Sequence, residues 1–165
     1  MKKISLGQII GIAAALLVVL LFFFPWVEFN LLLATANMTG FQLATGNGPA
    51  GASFPSVPSL LLIPLSMIGV LIVAAVALFG QNPASQLKRI ASVLLITAGG
   101  ISVLVILYQY FNLNAELNSN VLGFVAQKMF SYSFGAHGSL LGSVVVAGGG
   151  LIDLATRKKP TIPSP

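Results

Sequence analysis

Four apolar runs constrain this chain more than any other feature. They lie at about residues 8–27, 60–80, 90–111 and 138–155. A hydrocarbon core about 30 Å thick needs about 20 helical residues to cross it. All four runs reach that length, the last narrowly. The rest of the chain offers no polar shell to hide them. Of the 165 residues, 56% are hydrophobic and only 7% are charged, against about 25% charged in average globular proteins. The expected fold is an all-α membrane protein, a four-transmembrane-helix antiparallel bundle in one domain spanning 1–159, with a disordered tail at 160–165.

Lys and Arg set the expected orientation. Lys2 and Lys3 precede the first run, Lys88 and Arg89 lie between the second and third, and Arg157, Lys158 and Lys159 follow the fourth. With both termini cytoplasmic, seven of the eight basic residues face inward and only Lys128 faces outward, as the positive-inside rule requires. The localisation this implies is integral to the cell (inner) membrane. The net charge of +5 is therefore a topology signal, and no nucleic-acid partner is expected. The amino-terminal run also resembles a secretory signal, with an A-x-A at Ala34-Thr35-Ala36. It is longer than a signal core of about 7–15 residues, and the A-x-A falls well past its end. Retention of the first span is expected.

Two segments then face outward, 28–59 and 112–137. In the first, Val27, Phe29 and Leu31 alternate with Glu28 and Asn30, which predicts a short strand. Gly40 and Gly46 read as turns, and "NGPAGASFPSVPS" as an irregular linker. In the second, Val121, Leu122, Val125 and Met129 recur at helical spacing, predicting an interfacial helix or an outward extension of the third span. "NLNAELNSN" reads as a linker. Pro25 and Trp26 are expected at the outer membrane interface, with Tyr108, Tyr110 and Phe111 as an aromatic belt. Pro64 within the second span predicts a kink.

Chemistry is sparse. Asp153 lies near the inner end of the fourth span, four residues before Arg157, the spacing of an ion pair along one helix. Trp26 and Glu28 at the outer lip are candidate contacts for a partner. His137 has no second ligand at metal-binding spacing. The absence of cysteine excludes disulfides, Fe–S clusters and thiol nucleophiles. No catalytic set is visible, no cofactor is expected, and the spans hold almost no polar residues to line a pore. The glycines say more. Gly7 and Gly11, and again Gly138 and Gly142, have the GxxxG spacing that lets transmembrane helices approach closely. Their neighbour is either a helix of the same bundle or another subunit.

Four spans with both ends inside, a large first outer segment with strand character and a long third span resemble the claudin topology. Phe24-Pro25-Trp26, followed by Thr39-Gly40-Phe41-Gln42-Leu43-Ala44-Thr45-Gly46, is similar to small uncharacterised bacterial four-span proteins that pair "PW" with "G..LATG". Claudins carry a cysteine pair in this segment and this chain does not, so the resemblance implies a layout and not an activity. The expected function is that of a non-enzymatic membrane protein. Its partners would be the lipid bilayer and other membrane subunits or itself, as an accessory subunit or a homo-oligomer. The alternatives are a small transport or channel-forming protein and a lipid- or quinone-handling membrane enzyme.

Overall fold

The computed structural model describes residues 5–31, 34–48, 51, 53, 55–79, 85–118 and 130–157. The chain is mostly helical, with a small three-stranded sheet at one end. The first helix, α1 (Leu6–Leu21), starts where the side chain of Ser5 accepts a hydrogen bond from the Gln8 N–H at 3.2 Å. That contact satisfies one of the donors a helix leaves unpaired at its beginning. The helix stops at Leu21, six residues short of the expected end at 27. The cause is local. Pro25 disfavours helical geometry at Phe24, and Phe23 and Phe24 tighten the last turn by bonding to Leu20 and Leu21 carbonyls. Pro25 has no N–H to offer the Leu21 carbonyl in the next helical position, and the Trp26 indole N–H donates to that carbonyl at 3.1 Å.

From Pro25 the chain runs extended. β1 (Pro25–Leu31) is the centre of an antiparallel sheet, between β2 (Ala34–Thr39) and β3 (Phe130–Tyr132). The expected strand is present and begins two residues earlier than the alternation indicates, with a register irregularity between Pro25 and Val27. Val27 pairs with Met38 and Tyr132, and Glu28 with Asn37 and Ser131. Directly opposed residues share a face. Val27 and Met38 are buried towards the helices, while Asn37 and Ser131 are exposed.

Gly40 does not turn the chain but opens a short helix, α2 (Gly40–Thr45). Thr39 and Gln42 cap it reciprocally: Gln42 N–H bonds to the Thr39 hydroxyl at 3.1 Å and Thr39 N–H to the Gln42 side chain at 2.9 Å. Gly46 ends it with φ 77°, a conformation most side chains avoid.

After a 3-10 turn at Pro58–Leu61, α3 (Leu62–Phe79) begins. Pro64 falls in its first turn, where a missing N–H costs little, so it marks an entry and not a mid-span kink. α4 (Ser85–Asn118) has 34 residues and outruns the expected 90–111 at both ends. Most of the Asn-rich stretch expected as a linker is thus helix. α5 (Phe134–Arg157) contains the fourth run. Three segments, Pro58–Ala77, Arg89–Asn112 and Phe134–Thr156, are long and apolar enough to cross a membrane; α1, at 16 residues, is shorter.

The helices pack in the ring order α1, α3, α4, α5, with α5 returning to α1. Neighbours along α3–α4–α5–α1 run antiparallel. Ser66 of α3 meets Ser102 of α4, and Ser59 in the preceding 3-10 turn meets Gln109 of α4. Gly99 abuts Ser143 and Gly150 abuts Ser92 across α4 and α5. Gly7 abuts Gly149 and Gly142 abuts Val18 across α1 and α5. Ala15, Val18, Ile63, Met67, Val70, Leu95 and Val146 fill the core. The expected helix at 121–129, the tail at 160–165 and Lys2 and Lys3 lie outside the described residues.

Candidate functional site

At the end of the molecule away from the sheet, α1, α4 and α5 meet along a seam of small residues. A methyl group added at Gly7 would lie 2.6 Å from the Gly149 carbonyl oxygen and 2.9 Å from the Asp153 nitrogen. One added at Gly149 would lie 2.8 Å from the Gly11 Cα, and one at Gly150 would lie 2.6 Å from the Ser92 carbonyl oxygen. Backbone therefore touches backbone on both sides of α5, which only residues lacking a side chain permit. A methyl group added at Gly11 would lie 3.1 Å from the Leu95 side chain of α4.

Inside this seam sits Asp153, 0% exposed, and the Ser92 hydroxyl donates to its Oδ2. Ser92 is also fully buried, and Gln8 is buried on α1. The carboxylate is thus turned into the helix interface and not along the α5 surface. The Arg157 side chain, and with it the expected Asp153–Arg157 pair, lies outside the described residues. Ser92, which sequence spacing does not single out, is the partner that the fold supplies from 61 positions away.

Gly138 and Gly142 continue the seam towards the sheet. A methyl group at Gly142 would meet Val18 Cγ2 at 2.6 Å, and one at Gly138 would meet Leu21 Cδ1 at 2.9 Å. All four glycines with GxxxG spacing therefore face helices of their own chain.

At the sheet end, Trp26 is only 4% exposed. Its ring meets Phe22 edge-on at 5.7 Å, and Gly40 and Gly135 close over it, with added methyls at 2.9 Å and 2.6 Å from the indole. Trp26 is a core residue here, packed among Phe22, Gly40 and Gly135 with its N–H bonded to the Leu21 carbonyl. It offers no surface to a partner. Glu28 is half-exposed on the opposite face of β1, between Asn37 and Ser131.

Tyr132 stacks on Tyr110 at 4.5 Å and meets His137 edge-on at 6.4 Å. Burial, followed by the neighbouring Tyr110, pushes the Tyr132 hydroxyl up to about 12. His137 is exposed, with Nδ1 3.1 Å from the Ser133 carbonyl oxygen. A carbonyl only accepts, so Nδ1 is the donor in this contact. Among the described residues no group of three His, Cys, Asp or Glu side chains could hold a metal ion.

The arrangement brings together one carboxylate, one hydroxyl and close-packed glycines at one end, and an amphipathic sheet at the other. Neither a family model, nor a curated protein, nor a solved structure matches this chain.

Proposed function

We propose that this chain is an integral membrane protein of four spans with a claudin-like layout. Both ends lie on the cytoplasmic side of the cell membrane, and it acts without catalysis, through contacts with other membrane subunits or copies of itself. One observation carries the reading: large apolar side chains face outward along the helices, while several polar ones are buried between them. Leu16, Leu65, Ile72, Leu104 and Leu141 are more than half exposed, while Gln8, Ser92, Ser102, Ser139, Ser143 and Asp153 are buried. Water would reverse that sorting, whereas a hydrocarbon solvent favours it. α1 has 16 residues and Phe22–Phe24 add to its apolar height, so it spans with three longer neighbours. The two strands of the first outer segment agree with the claudin-like layout.

Orientation has a direct test, because the chain has no cysteine of its own. Cysteines placed at Ser56 and Ser119 should react with an impermeant thiol reagent from outside intact cells, and one at Ser85 should not. Labelling at Ser85 alone would reverse the topology. The contact function is tested by gentle extraction and mass spectrometry of whatever co-purifies. A strictly monomeric, partner-free protein would remove it.

A further inference from the structure

The exposed aromatic side chains are sorted by height. Among the described residues, the large exposed ones are Phe23, Phe24, Phe41, Tyr108, Tyr110, Phe111 and Phe134. All lie at the sheet end. Phe41 on α2 stacks on Phe23 at 5.9 Å, and Tyr110 on α4 stacks on Tyr132 of β3 at 4.5 Å. The Ser133 N–H, just before Phe134, bonds to the Trp26 carbonyl at 2.9 Å. Below this level the exposed large side chains are aliphatic on every helix: Leu16 and Leu17 on α1, Ile72 on α3, Leu104 on α4 and Val144 on α5. The lower limit of the aliphatic band on α4 is the exposed Arg89. From Arg89 to Tyr108 is 108 − 89 = 19 residues, about 28 Å of helix at about 1.5 Å each. That is one hydrocarbon thickness of about 30 Å.

We propose that Phe23, Phe41, Tyr108, Phe111 and Phe134 form a girdle that binds the headgroup–acyl boundary of the outer leaflet and seats the three-stranded sheet upon it. The inference rests on the membrane reading above and adds a lipid contact made by a loop element. Phe41 is the decisive member, since α2 belongs to no span. Its other face is fixed: Gly40 lies against Phe22 and Trp26, and Ala44 is buried. Phe41 is therefore pressed outward beside Phe23 as a rigid, flat surface, the kind of side chain that partitions at a membrane interface. The sheet's polar face, with Asn30, Asn37 and Ser131 exposed, then remains in water.

The test uses a nitroxide attached to single cysteines at Leu16, Phe41, Phe111 and Asn37, in the full chain reconstituted in phosphatidylethanolamine–phosphatidylglycerol vesicles. All four positions are exposed, so folding is not challenged. Accessibility to oxygen, which concentrates among acyl chains, is compared with accessibility to a water-soluble nickel chelate. The labels at Phe41 and Phe111 should report one shared depth near the headgroups. Leu16, seven residues below Phe23, should lie about 10 Å deeper, and Asn37 should contact only the nickel chelate. A Phe41 label that behaves like Asn37, or one as deep as Leu16, overturns the girdle while leaving the membrane reading standing. A Leu16 label as accessible to nickel as Asn37 overturns both.

Discussion

At the scale of single residues, the most consequential contact is that between Ser92 and Asp153. A buried carboxylate is costly unless its oxygens are bonded, and losing one buried partner costs about 1–3 kcal/mol. Ser92→Ala is expected to lower the thermal midpoint in mild detergent accordingly. Asp153→Asn keeps an acceptor for the hydroxyl and should cost less than Asp153→Leu, which leaves that hydroxyl unmatched. An unchanged midpoint in Ser92→Ala would mean that the bond does not support the seam. Tyr132 makes a second prediction. Its hydroxyl titrates at about 12 when folded and at about 10 when unfolded. Between those values the folded state holds a proton that the unfolded state has released. Stability therefore falls as pH rises from about 10 to about 12. Thermal midpoints across that window should decline, and Tyr132→Phe should flatten the decline; an equal slope in both proteins would assign it elsewhere.

Among the elements, the glycine contacts differ in what they press against. At Gly142 the obstacle is a single methyl of the Val18 side chain, whereas at Gly7 it is the backbone of α5, which has less room to shift. Overpacking costs about 1–3 kcal/mol. Gly7→Ala should be the more destabilising of the two alanine substitutions, and Gly69→Ala, with nothing within 4 Å of the added methyl, should be neutral or slightly stabilising. Equal midpoints for all three would refute the seam. The spacing of Gly7 and Gly11 on α1, and of Gly138 and Gly142 on α5, is legible in the sequence because each pair lies within one helix. Their partners Gly149, Val18 and Leu21 are not, since nothing local says which helices adjoin. The end of the first span is hidden for a related reason. Hydropathy does not separate a lipid-facing helix from a buried strand, so Trp26 and Val27 count towards the span although they belong to β1. The Val27–Leu31 alternation carries the correct signal, two residues late.

For the whole molecule, the inward-facing glycines separate stability from assembly. Gly142→Leu should weaken the folded chain while leaving its native size in mild detergent unchanged, because its neighbour is α1 of the same chain. Loss of a larger assembly from an intact monomer would instead place another subunit against that face. The A-x-A at Ala34–Ala36 lies within β2. Cleavage there would remove α1, the partner of α5, and β1, the only strand that pairs with both others in the described sheet. Intact mass of the purified protein should therefore show residues before Ala36 retained; a start at Asn37 would contradict the packing described. Composition alone predicts the membrane character, since 56% hydrophobic residues leave few alternatives. It does not reveal the closure of the helix ring, which depends on contacts between distant residues.

That closure has a consequence for biosynthesis. α1 ends at Leu21, and α5, the helix it packs against most closely, begins at Phe134. At about 5–20 residues per second, a ribosome needs roughly ten seconds to deliver the second after the first. Throughout that interval the small-residue face of α1 and one edge of β1 await partners not yet translated. The nascent chain is thus open along one side until the final helix inserts, and whatever attends its insertion must shield that side.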